Sequence, residues 1–314
     1  MTPARHGLGV IKPGILTLVQ DLGRFGYQHL GLTTGGAADE QAHLWANRLL
    51  GNSAQSATLE ICYGGLQLEA QVPTRIAITG ADLQPTLNGQ AIHTWQTHNL
   101  VAGDRLHFGH PKTGVRAYLA VQGGFTIEPS FGSVATVMRE GIGGLDGKGR
   151  PLKSGDCVPC SATKPGPLMR VAPRYIPDYS QPLTIRVIEG HQSHQFHPED
   201  RQRFYSASYR LSNHSDRMGA RLEGPALKPR INGIVSEGIN FGAIQVPPDG
   251  QAIILLKDRQ TIGGYPKLGT AFARDLFLLA QRQPGALLRF TPGSLEEEQK
   301  ALRRFYAFFG FTFD

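Results

Sequence analysis

Closely spaced turn signals divide the sequence into short apolar segments, and this division restricts the fold more than any other feature. Segments 75–78, 115–121 and 183–187 alternate apolar with other residues, which is the pattern of a strand with one buried and one wet face. The 39 glycines and 21 prolines supply the turns between such segments. The sequence therefore predicts a mainly β fold with a few helices.

Glycine–aspartate pairs mark several of these turns. The pairs at 103–104 (LVAGDRLHF) and 155–156 (PLKSGDCVP) each precede a strand-like stretch, as in a β-barrel meander. The inverse pair at 249–250 lies between two apolar segments and is a strong hairpin signal. These turns are consistent with consecutive strands joined by short turns.

Capping patterns predict three helices. Asp39 is a candidate N-cap for a helix through HLWANRLL that ends at Gly51. Thr270 is a candidate N-cap for a second helix that ends before the Pro-Gly pair at 284–285. Ser294 and Glu297 form a capping box at the start of a C-terminal helix.

The sequence also predicts two mostly β domains. Residues 161–182 carry five prolines and no sustained periodicity, and strand signals resume directly afterwards. We expect an N-terminal domain over 1–165, a proline-rich linker over 166–182, and a C-terminal domain over 183–314 with a terminal helix. At 314 residues the chain is long enough for two hydrophobic cores.

Charge and hydropathy narrow the classes of function. The net charge is +7, but Lys and Arg form no run longer than a pair, so nucleic-acid binding is not expected. A moderate basic excess suits a small anionic ligand or an acidic partner. No apolar run approaches the roughly 18 residues that span a bilayer, and the opening MTPARHGLGV lacks the apolar core of a signal peptide. We therefore expect a cytoplasmic protein without membrane contact.

Two motifs resemble known chemical sites but lack required residues. The glycine-rich run GIGGLDGKGR has Ile142 where a P-loop needs glycine and Gly149 where it needs Ser or Thr, so it is interpreted as a flexible loop. The internal methionines are each followed by Arg or Gly, unlike those that flank a biotinyl-lysine. No covalent biotin is expected on this chain.

The cysteine and histidine groups are interpreted as structural or solvated. Cys157 and Cys160 have C-x-x-C spacing, but no second cysteine pair completes a zinc site. The histidines at 191, 194 and 197 precede a predicted helix start at Pro198. Because they form no helical i, i+4 ligand pair, a polar surface turn is favoured over a zinc site. No resident metal is expected.

Three segments, 19–26, 215–224 and 236–266, carry more hydrogen-bonding side chains and glycines than turns require. The most pronounced stretch is DRQTIGGYP, which follows the apolar run AIILL after a single lysine. A polar loop at the end of a buried strand is a common location for a ligand site. A structural ion pair, such as Asp216 with Arg217, explains one segment alone, but three segments together favour a site.

Long motifs in the same segments resemble one family. KPGILTLVQDLGRFGYQ, GGAAD, SDRMGARLEGP and DRQTIGGYPK are similar to motifs of the KipA family. This family is also called allophanate hydrolase subunit 2-like or biotin-dependent carboxyltransferase-like, and it includes the C subunit of 5-oxoprolinase. The resemblance extends from about Gly9 to Phe290. Ala38 replaces the usual Met or Leu, Ala220 a common Tyr, and Ile262 a common Thr; none of these departures removes a charged group.

The resemblance implies two cyclophilin-like β-barrel domains and a role within a larger enzyme. In the leading interpretation the chain is the C subunit of an ATP-dependent 5-oxoprolinase, inactive alone. It would open 5-oxoproline to L-glutamate together with a KipI-like protein and a LamB/YcsF-like protein, using ATP with Mg²⁺ as co-substrate. Two alternatives stay open: the carboxyltransferase component of a biotin-dependent, urea carboxylase-like system, and a KipA-like regulator that binds a KipI-type kinase inhibitor.

The candidate residues divide by their chemistry. Asp258, Arg217 and Glu237 are predicted to be catalytic, because carboxylates transfer protons or hold Mg²⁺ and arginine neutralises phosphoryl charge. A pair of adjacent glycines gives backbone amides access to an oxyanion. The residues predicted to bind substrate or nucleotide are Gln20, Asp21, Arg24, Arg221, Gln245, Arg259, Gln260, Thr261, Gly263, Gly264, Tyr265 and Lys267.

Overall fold

A computed structural model describes residues 6–313 of the chain, which divides into two compact units. The first unit comprises Met1–Phe25 and Gly35–Ser180, and the second comprises Gly26–Thr34 and Gln181–Asp314. Strands outnumber helices in both units, and the described residues contain four α-helices. The predicted mainly β class is confirmed.

The first unit is built from two antiparallel sheets and one α-helix. Its elements are β1 (Gly7–Pro13), β2 (Leu16–Gln20), α1 (Glu40–Leu50), β3 (Thr58–Cys62), β4 (Leu66–Ala70), β5 (Thr74–Asp82), β6 (Thr86–Leu87), β7 (Gln90–Ala91), β8 (Gln96–Leu100), β9 (Arg105–His107), β10 (Thr113–Val121) and β11 (Cys157–Pro159). One sheet has the strand order β11-β1-β4-β9-β6-β7 and the other β2-β3-β10-β5-β8. Both sheets contribute to one core, in which Leu59, Ile78 and Leu119 are fully buried.

The second unit contains a closed barrel. Its elements are β12 (Leu183–Glu189), α2 (Pro198–Ser206), β13 (Tyr209–Leu211), β14 (Gly219–Glu223), β15 (Glu237–Gly238), β16 (Ala243–Gln245), β17 (Ile253–Leu255), β18 (Ile262–Gly263), β19 (Lys267–Ala271), α3 (Ala273–Leu279), β20 (Leu287–Pro292) and α4 (Leu295–Phe308). The barrel has the order β12-β19-β16-β17-β14-β13-β20, and a parallel β12–β20 pair closes it. Strands β15 and β18 pair with each other in a separate two-stranded sheet.

The barrel core follows from the short apolar strands. Ile185, Ile244, Ile254 and Leu268 come from four different strands and are fully buried in one cluster. Truncating one of these side chains to alanine would cost about 2–5 kcal/mol, because lost burial and an unfilled cavity add. The predicted hairpin at 249–250 is confirmed, since β16 and β17 pair as antiparallel neighbours on either side of it.

Two helices begin where their capping residues predict. The side chain of Asp39 accepts a hydrogen bond from the Ala42 amide, and Gly51 ends α1 in the left-handed region at φ 68°. The Ser294 side chain accepts from the Glu297 amide at the start of α4. Replacing either N-cap with alanine would cost about 1 kcal/mol.

The predicted start of the second helix at Thr270 is wrong. Thr270 lies in β19, where it pairs with Ile188 on one side and Ala243 on the other. Helix α3 begins three residues later, at Ala273. The strand continues through Thr270 because two neighbouring strands take up its backbone groups, an interaction that the local cap pattern does not contain.

Residues 166–182 contain no strand or α-helix and lie along strand β8 of the first unit. Asn99 exchanges two side-chain hydrogen bonds with the backbone of Gly166, and the Met169 amide donates to Thr97 Oγ1 at 3.0 Å. The proline-rich segment is therefore tied to a sheet edge over its first half. Within residues 6–313, no helix combines the length and the apolar character needed to cross a membrane.

Candidate functional site

The segment DRQTIGGYP leaves the barrel and forms one side of a two-stranded ribbon. After β17, a tight turn joins the Arg259 amide to the Leu256 carbonyl, and β18 then pairs with β15 through Glu237↔Gly263 and Gly238↔Ile262. The ribbon extends in both directions, because the Ile239 amide donates to the Thr261 carbonyl and the Ile234 amide to the Gly264 carbonyl. The segment 234–239 is thereby brought against the polar loop that the sequence singles out.

A buried ion pair fixes the start of this loop. Arg217 and Asp258 form a bidentate pair with two N–O distances of 2.9 Å, and each side chain is 6% exposed. The Asp258 amide also donates to the Arg217 carbonyl at 2.9 Å. Such a fork-to-fork pair holds both side chains in a single orientation. It fixes the loop rigidly against the β14 side of the barrel.

A polar cleft of about 380 Å³ lies between the ribbon and the barrel. Glu237 on β15 contacts the Lys267 ammonium on β19, and its Oε1 also accepts from Gln192 Nε2 at 2.8 Å. Gln192 in turn accepts from the Lys267 amide at 2.9 Å. The hydrogen bond from Lys267 holds the pKa of Glu237 below its usual range. The cleft therefore presents an ionised carboxylate beside an ammonium group.

Gln245 lies beside this cluster with an unpaired donor. It is 6% exposed, and its Nε2 has no hydrogen-bond partner among residues 6–313. A Cβ at Gly263 would lie only 2.5 Å from that nitrogen. Glycine at 263 is thus required for close approach to Gln245, and a buried amide without an acceptor is costly unless a ligand supplies one.

Arg259 is buried without a carboxylate partner within residues 6–313. It is 6% exposed, and its guanidinium donates only to the carbonyls of Ile239 and Leu256, each at 3.3 Å. Burial lowers its pKa to about 10. Arg259 and Lys267 therefore differ sharply, since Lys267 has Glu237 as a counter-ion.

Other predicted residues surround the ribbon or lie elsewhere in the second unit. Gln260 and Tyr265 are exposed, whereas Thr261 and Gly264 are half-buried members of the ribbon. Arg221 lines a different cleft, together with His214 and Asp249 among others. The structure thus brings Glu237, Gly263 and Lys267 together but does not add Arg221 to them.

Gln20, Asp21 and Arg24 belong to the first unit, where they bond mainly to backbone. Asp21 accepts from the amides of Gly23 and Val134 and from the Ser133 hydroxyl, all within 2.8 Å. Arg24 is fully buried and donates to three carbonyls of the segment 130–135. These contacts join residues 20–24 to a distant loop, a structural role that accounts for their burial. Their part in ligand binding stays a prediction.

Comparison with known proteins identifies the family. The model of the carboxyltransferase domain, subdomain A and B, matches residues 30–292. The chain belongs to this carboxyltransferase-domain family. It is homologous to the C subunit of 5-oxoprolinase from Escherichia coli, with 37% identity over 94% of both chains, and to that from Haemophilus influenzae, with 34% identity over 91% of both.

A solved structure shares the same fold. The urea carboxylase of Kluyveromyces lactis superposes with a TM-score of 0.86 and 28% identity over 99% of this chain. The match covers only 30% of that much longer protein. The carboxyltransferase-domain fold is thus found both in relatives of this chain's own length and as one part of a longer enzyme.

Sequence reasoning missed the residues that complete this family member's cleft. Gln192, which bonds to both Glu237 and the Lys267 backbone, lies in the turn GHQSHQFHPED, for which the sequence favours a polar surface role. His191 and Asn240 also line the cleft. The only local signal is the density of polar residues after β12, and it does not distinguish a cleft wall from a solvated turn.

The cysteine and histidine motifs of this family member form no recognisable metal centre in the described residues. Over 6–313, no group of three or more His, Cys, Asp or Glu side chains is arranged to hold an ion. All three cysteines are present as thiols. Burial raises the pKa of the Cys160 thiol to about 11, whereas Cys157 Sγ donates to Gln71 at 3.2 Å on a more accessible edge.

Proposed function

We propose that the chain is the C subunit of an ATP-dependent 5-oxoprolinase that opens 5-oxoproline to L-glutamate. The observation that carries this proposal is the 37% identity to the E. coli protein of that description over 94% of both chains. Near-complete mutual coverage means that the whole of the relative's architecture, and not one module of it, corresponds to this chain. The proposal includes the two cyclophilin-like β-barrel domains that the family resemblance implies, and the closed barrel of the second unit supports it.

The polar cleft is proposed as the substrate site because its groups complement those of 5-oxoproline. The substrate carries a carboxylate, a lactam N–H and a lactam carbonyl. The Lys267 ammonium lines the cleft and retains N–H donors beyond the one directed at Glu237. Gln245 is not a lining residue of the cleft, but it pairs with Lys267 across β16 and β19, and its amide lacks an acceptor among residues 6–313. A volume of about 380 Å³ lies within the usual range for small-ligand sites.

Glu237 is the proposed acid–base residue. Ring opening requires that water add to the lactam carbon, that the C–N bond break, and that the nitrogen leave as an amine with a new proton. An ionised carboxylate such as Glu237 accepts a proton from the attacking water. The adjacent Lys267 ammonium is placed to bind the substrate carboxylate and to stabilise the charge that develops on oxygen.

Asp258 and Arg217 are proposed to position the loop and not to transfer protons. Both carboxylate oxygens of Asp258 are engaged by the Arg217 guanidinium, so the pair is committed to a buried structural contact. Its rigidity keeps Gly263 and the ribbon in register with Glu237. The pair therefore acts on the chemistry through the geometry of the cleft.

ATP with Mg²⁺ is proposed as the co-substrate of the complex, where its γ-phosphoryl group would pass to the lactam oxygen with release of ADP. Addition of one water and cleavage of the C–N bond would then leave an acyl phosphate, and a second water would release inorganic phosphate and form the glutamate carboxylate. This chain does not fit the metal well, because residues 6–313 contain no acidic ligand cluster and Glu237 and Asp258 are each paired with a cation. We therefore assign no step of nucleotide or metal binding to these residues. A KipI-like protein and a LamB/YcsF-like protein are the proposed partner subunits, in the cytoplasm, with this chain inactive alone.

Carboxyl transfer is the second candidate, favoured by the fold shared with urea carboxylase over 99% of this chain. The cations and amides of the cleft would then hold a carboxylated biotin supplied by another protein. A regulatory role, in which the chain binds a KipI-type kinase inhibitor, needs a partner surface but no cleft. The polar cleft therefore favours either enzymatic candidate over regulation.

A substrate panel on a reconstituted complex separates these functions. The chain is mixed with the remaining subunits of the E. coli 5-oxoprolinase, and ADP release is followed with 5-oxoproline, with urea plus bicarbonate, or with no addition. We expect stimulation by 5-oxoproline alone, and none from the isolated chain. If 5-oxoproline does not stimulate ADP release, but urea and bicarbonate do so when a biotin carboxylase is present, the carboxyltransferase function would be favoured.

A further inference from the structure

Arg259 differs from two cations near the β15–β18 ribbon, Arg217 and Lys267, in how its charge is neutralised. Arg217 has both carboxylate oxygens of Asp258, and Lys267 has Glu237. Arg259 donates through Nε and Nη1 to two backbone carbonyls at 3.3 Å, near the long limit for such bonds. Its Nη2 amino group, with two N–H donors, meets no acceptor within residues 6–313.

Burial of the Arg259 charge with only neutral acceptors is energetically unfavourable. A buried cation loses hydration worth several kcal/mol, and neutral carbonyls replace only part of it. The lowered pKa of Arg259, about 10, has burial as its cause. A site that maintains such a charge without a counter-ion is a candidate for binding one from solution.

We infer that Arg259 binds an oxyanion, a carboxylate or a phosphate group, at the base of the β15–β18 ribbon. The Nη2 edge of the guanidinium is the docking edge, because Nε and Nη1 are anchored to the Ile239 and Leu256 carbonyls. Those two anchors fix the plane of the fork, which pre-organises it for an anion. Arg259 does not line the Glu237–Lys267 cleft, so this is a second subsite and does not depend on the proposed lactam chemistry.

The proposed anion site lies where the β15–β18 ribbon joins the barrel. The Ile239 carbonyl that holds Arg259 belongs to the residue after β15, and the Ile239 amide donates to the Thr261 carbonyl just before β18. An anion on Arg259 therefore neutralises charge at the point where the ribbon joins the barrel. Binding there stabilises the strand that carries Glu237.

Anion titration of the full-length chain tests this inference. Inorganic phosphate and, separately, acetate are titrated at constant ionic strength with chloride as the balancing anion, and binding is followed by thermal shift and calorimetry. We expect saturable binding of at least one of the two anions, and the comparison identifies which group is preferred. Arg259→Gln should weaken it by about tenfold or more, the loss of a charge-assisted donor. Arg221→Gln, which removes an exposed arginine from another cleft, should leave it unchanged.

Stability without anion distinguishes a binding role from a purely structural one. Because Arg259 is an uncompensated buried charge, Arg259→Gln should melt no lower than the wild-type chain in chloride buffer, and the wild type should gain most from phosphate or acetate. If the glutamine variant does not fold, Arg259→Lys, which keeps the charge but loses the fork, should fold and bind more weakly. No saturable binding by the wild type, or equal binding by the Arg259 and Arg221 variants, would overturn the inference.

Discussion

Substitution of Asp258 by asparagine should destabilise the protein strongly, although it preserves side-chain size. Arg217 and Asp258 are each 6% exposed and share two hydrogen bonds of 2.9 Å. Removal of one partner from a buried pair costs about 3–5 kcal/mol, because the other charge is left uncompensated. Asparagine retains one acceptor for the guanidinium, so we expect a loss of about 2–3 kcal/mol.

Thermal and urea unfolding measure this loss. At about 2–4 °C per kcal/mol for a domain of this size, the melting temperature should fall by roughly 4–12 °C. Asp146→Asn is the matched control, since Asp146 pairs with Arg150 at the surface with side-chain exposures of 36% and 55%. Exposed pairs contribute about 0–1 kcal/mol, so the control should unfold close to the wild type.

A double-mutant cycle tests the cause of the loss. Arg217→Met and Asp258→Leu should each destabilise, whereas the double variant should lose less than their sum by about 2 kcal/mol, because no charge is left buried alone. Wild-type stability in Asp258→Asn would refute the reasoning. So would a hundredfold loss of turnover in a complex whose melting is unchanged, because that result would give Asp258 a chemical role.

Three further predictions concern the cleft and the cysteines. Glu237→Gln should lower turnover of the assembled complex by about a hundredfold, with little change in melting temperature because the side chain is 39% exposed. In the wild type, Glu237 has a lowered pKa, so its contact with Lys267 should be retained at neutral pH and lost only as the pH falls through that pKa. A contact that NMR shows to be independent of pH would contradict this prediction. Gly263→Ala should raise KM for 5-oxoproline, since the new Cβ would lie 2.5 Å from Gln245 Nε2. Gly109→Ala in the first unit, where the nearest atom to a new Cβ is 3.5 Å away, should not raise it, and equal KM values for the two variants would remove Gln245 from the site. Iodoacetamide should modify Cys157 before Cys160, because the Cys160 thiol has a pKa raised to about 11 and the residue is 6% exposed. Replacement of both cysteines by serine should leave activity near normal. Labelling in the reverse order, or loss of activity without unfolding, would contradict the structural interpretation.

Local features of the fold are predictable from sequence, and features that depend on distant pairing are not. The side chains of Asp39 and Ser294 act within three residues of themselves, so their helices follow from the sequence alone. Thr270 has an equally good cap residue type, but β12 and β16 bind its backbone from distant parts of the chain. Short-range patterns cannot show whether a residue's backbone groups bond within a helix or to a strand from a distant part of the chain.

The same distinction applies to the cleft. A local excess of polar groups identifies Glu237 and Lys267 as candidates, but their contact joins residues 30 apart, and Gln192 is 45 residues from Glu237. Nothing near Gln192 in the sequence distinguishes it from its polar neighbours. The burial of Arg259 cannot be predicted from the sequence either, because its loop is polar throughout and one of its acceptors, the Ile239 carbonyl, lies 20 residues away.

Product formation from labelled substrate is the most direct test of the proposed function. Carbon-13-labelled 5-oxoproline and ATP are added to the chain assembled with the other 5-oxoprolinase subunits, and labelled glutamate and ADP are quantified together by NMR. Coupled ring opening predicts glutamate and ADP in equal amounts, with neither formed when this chain is omitted or carries Glu237→Gln. Labelled glutamate at the same rate without this chain, or ADP release with no glutamate, would contradict its assignment to a 5-oxoprolinase.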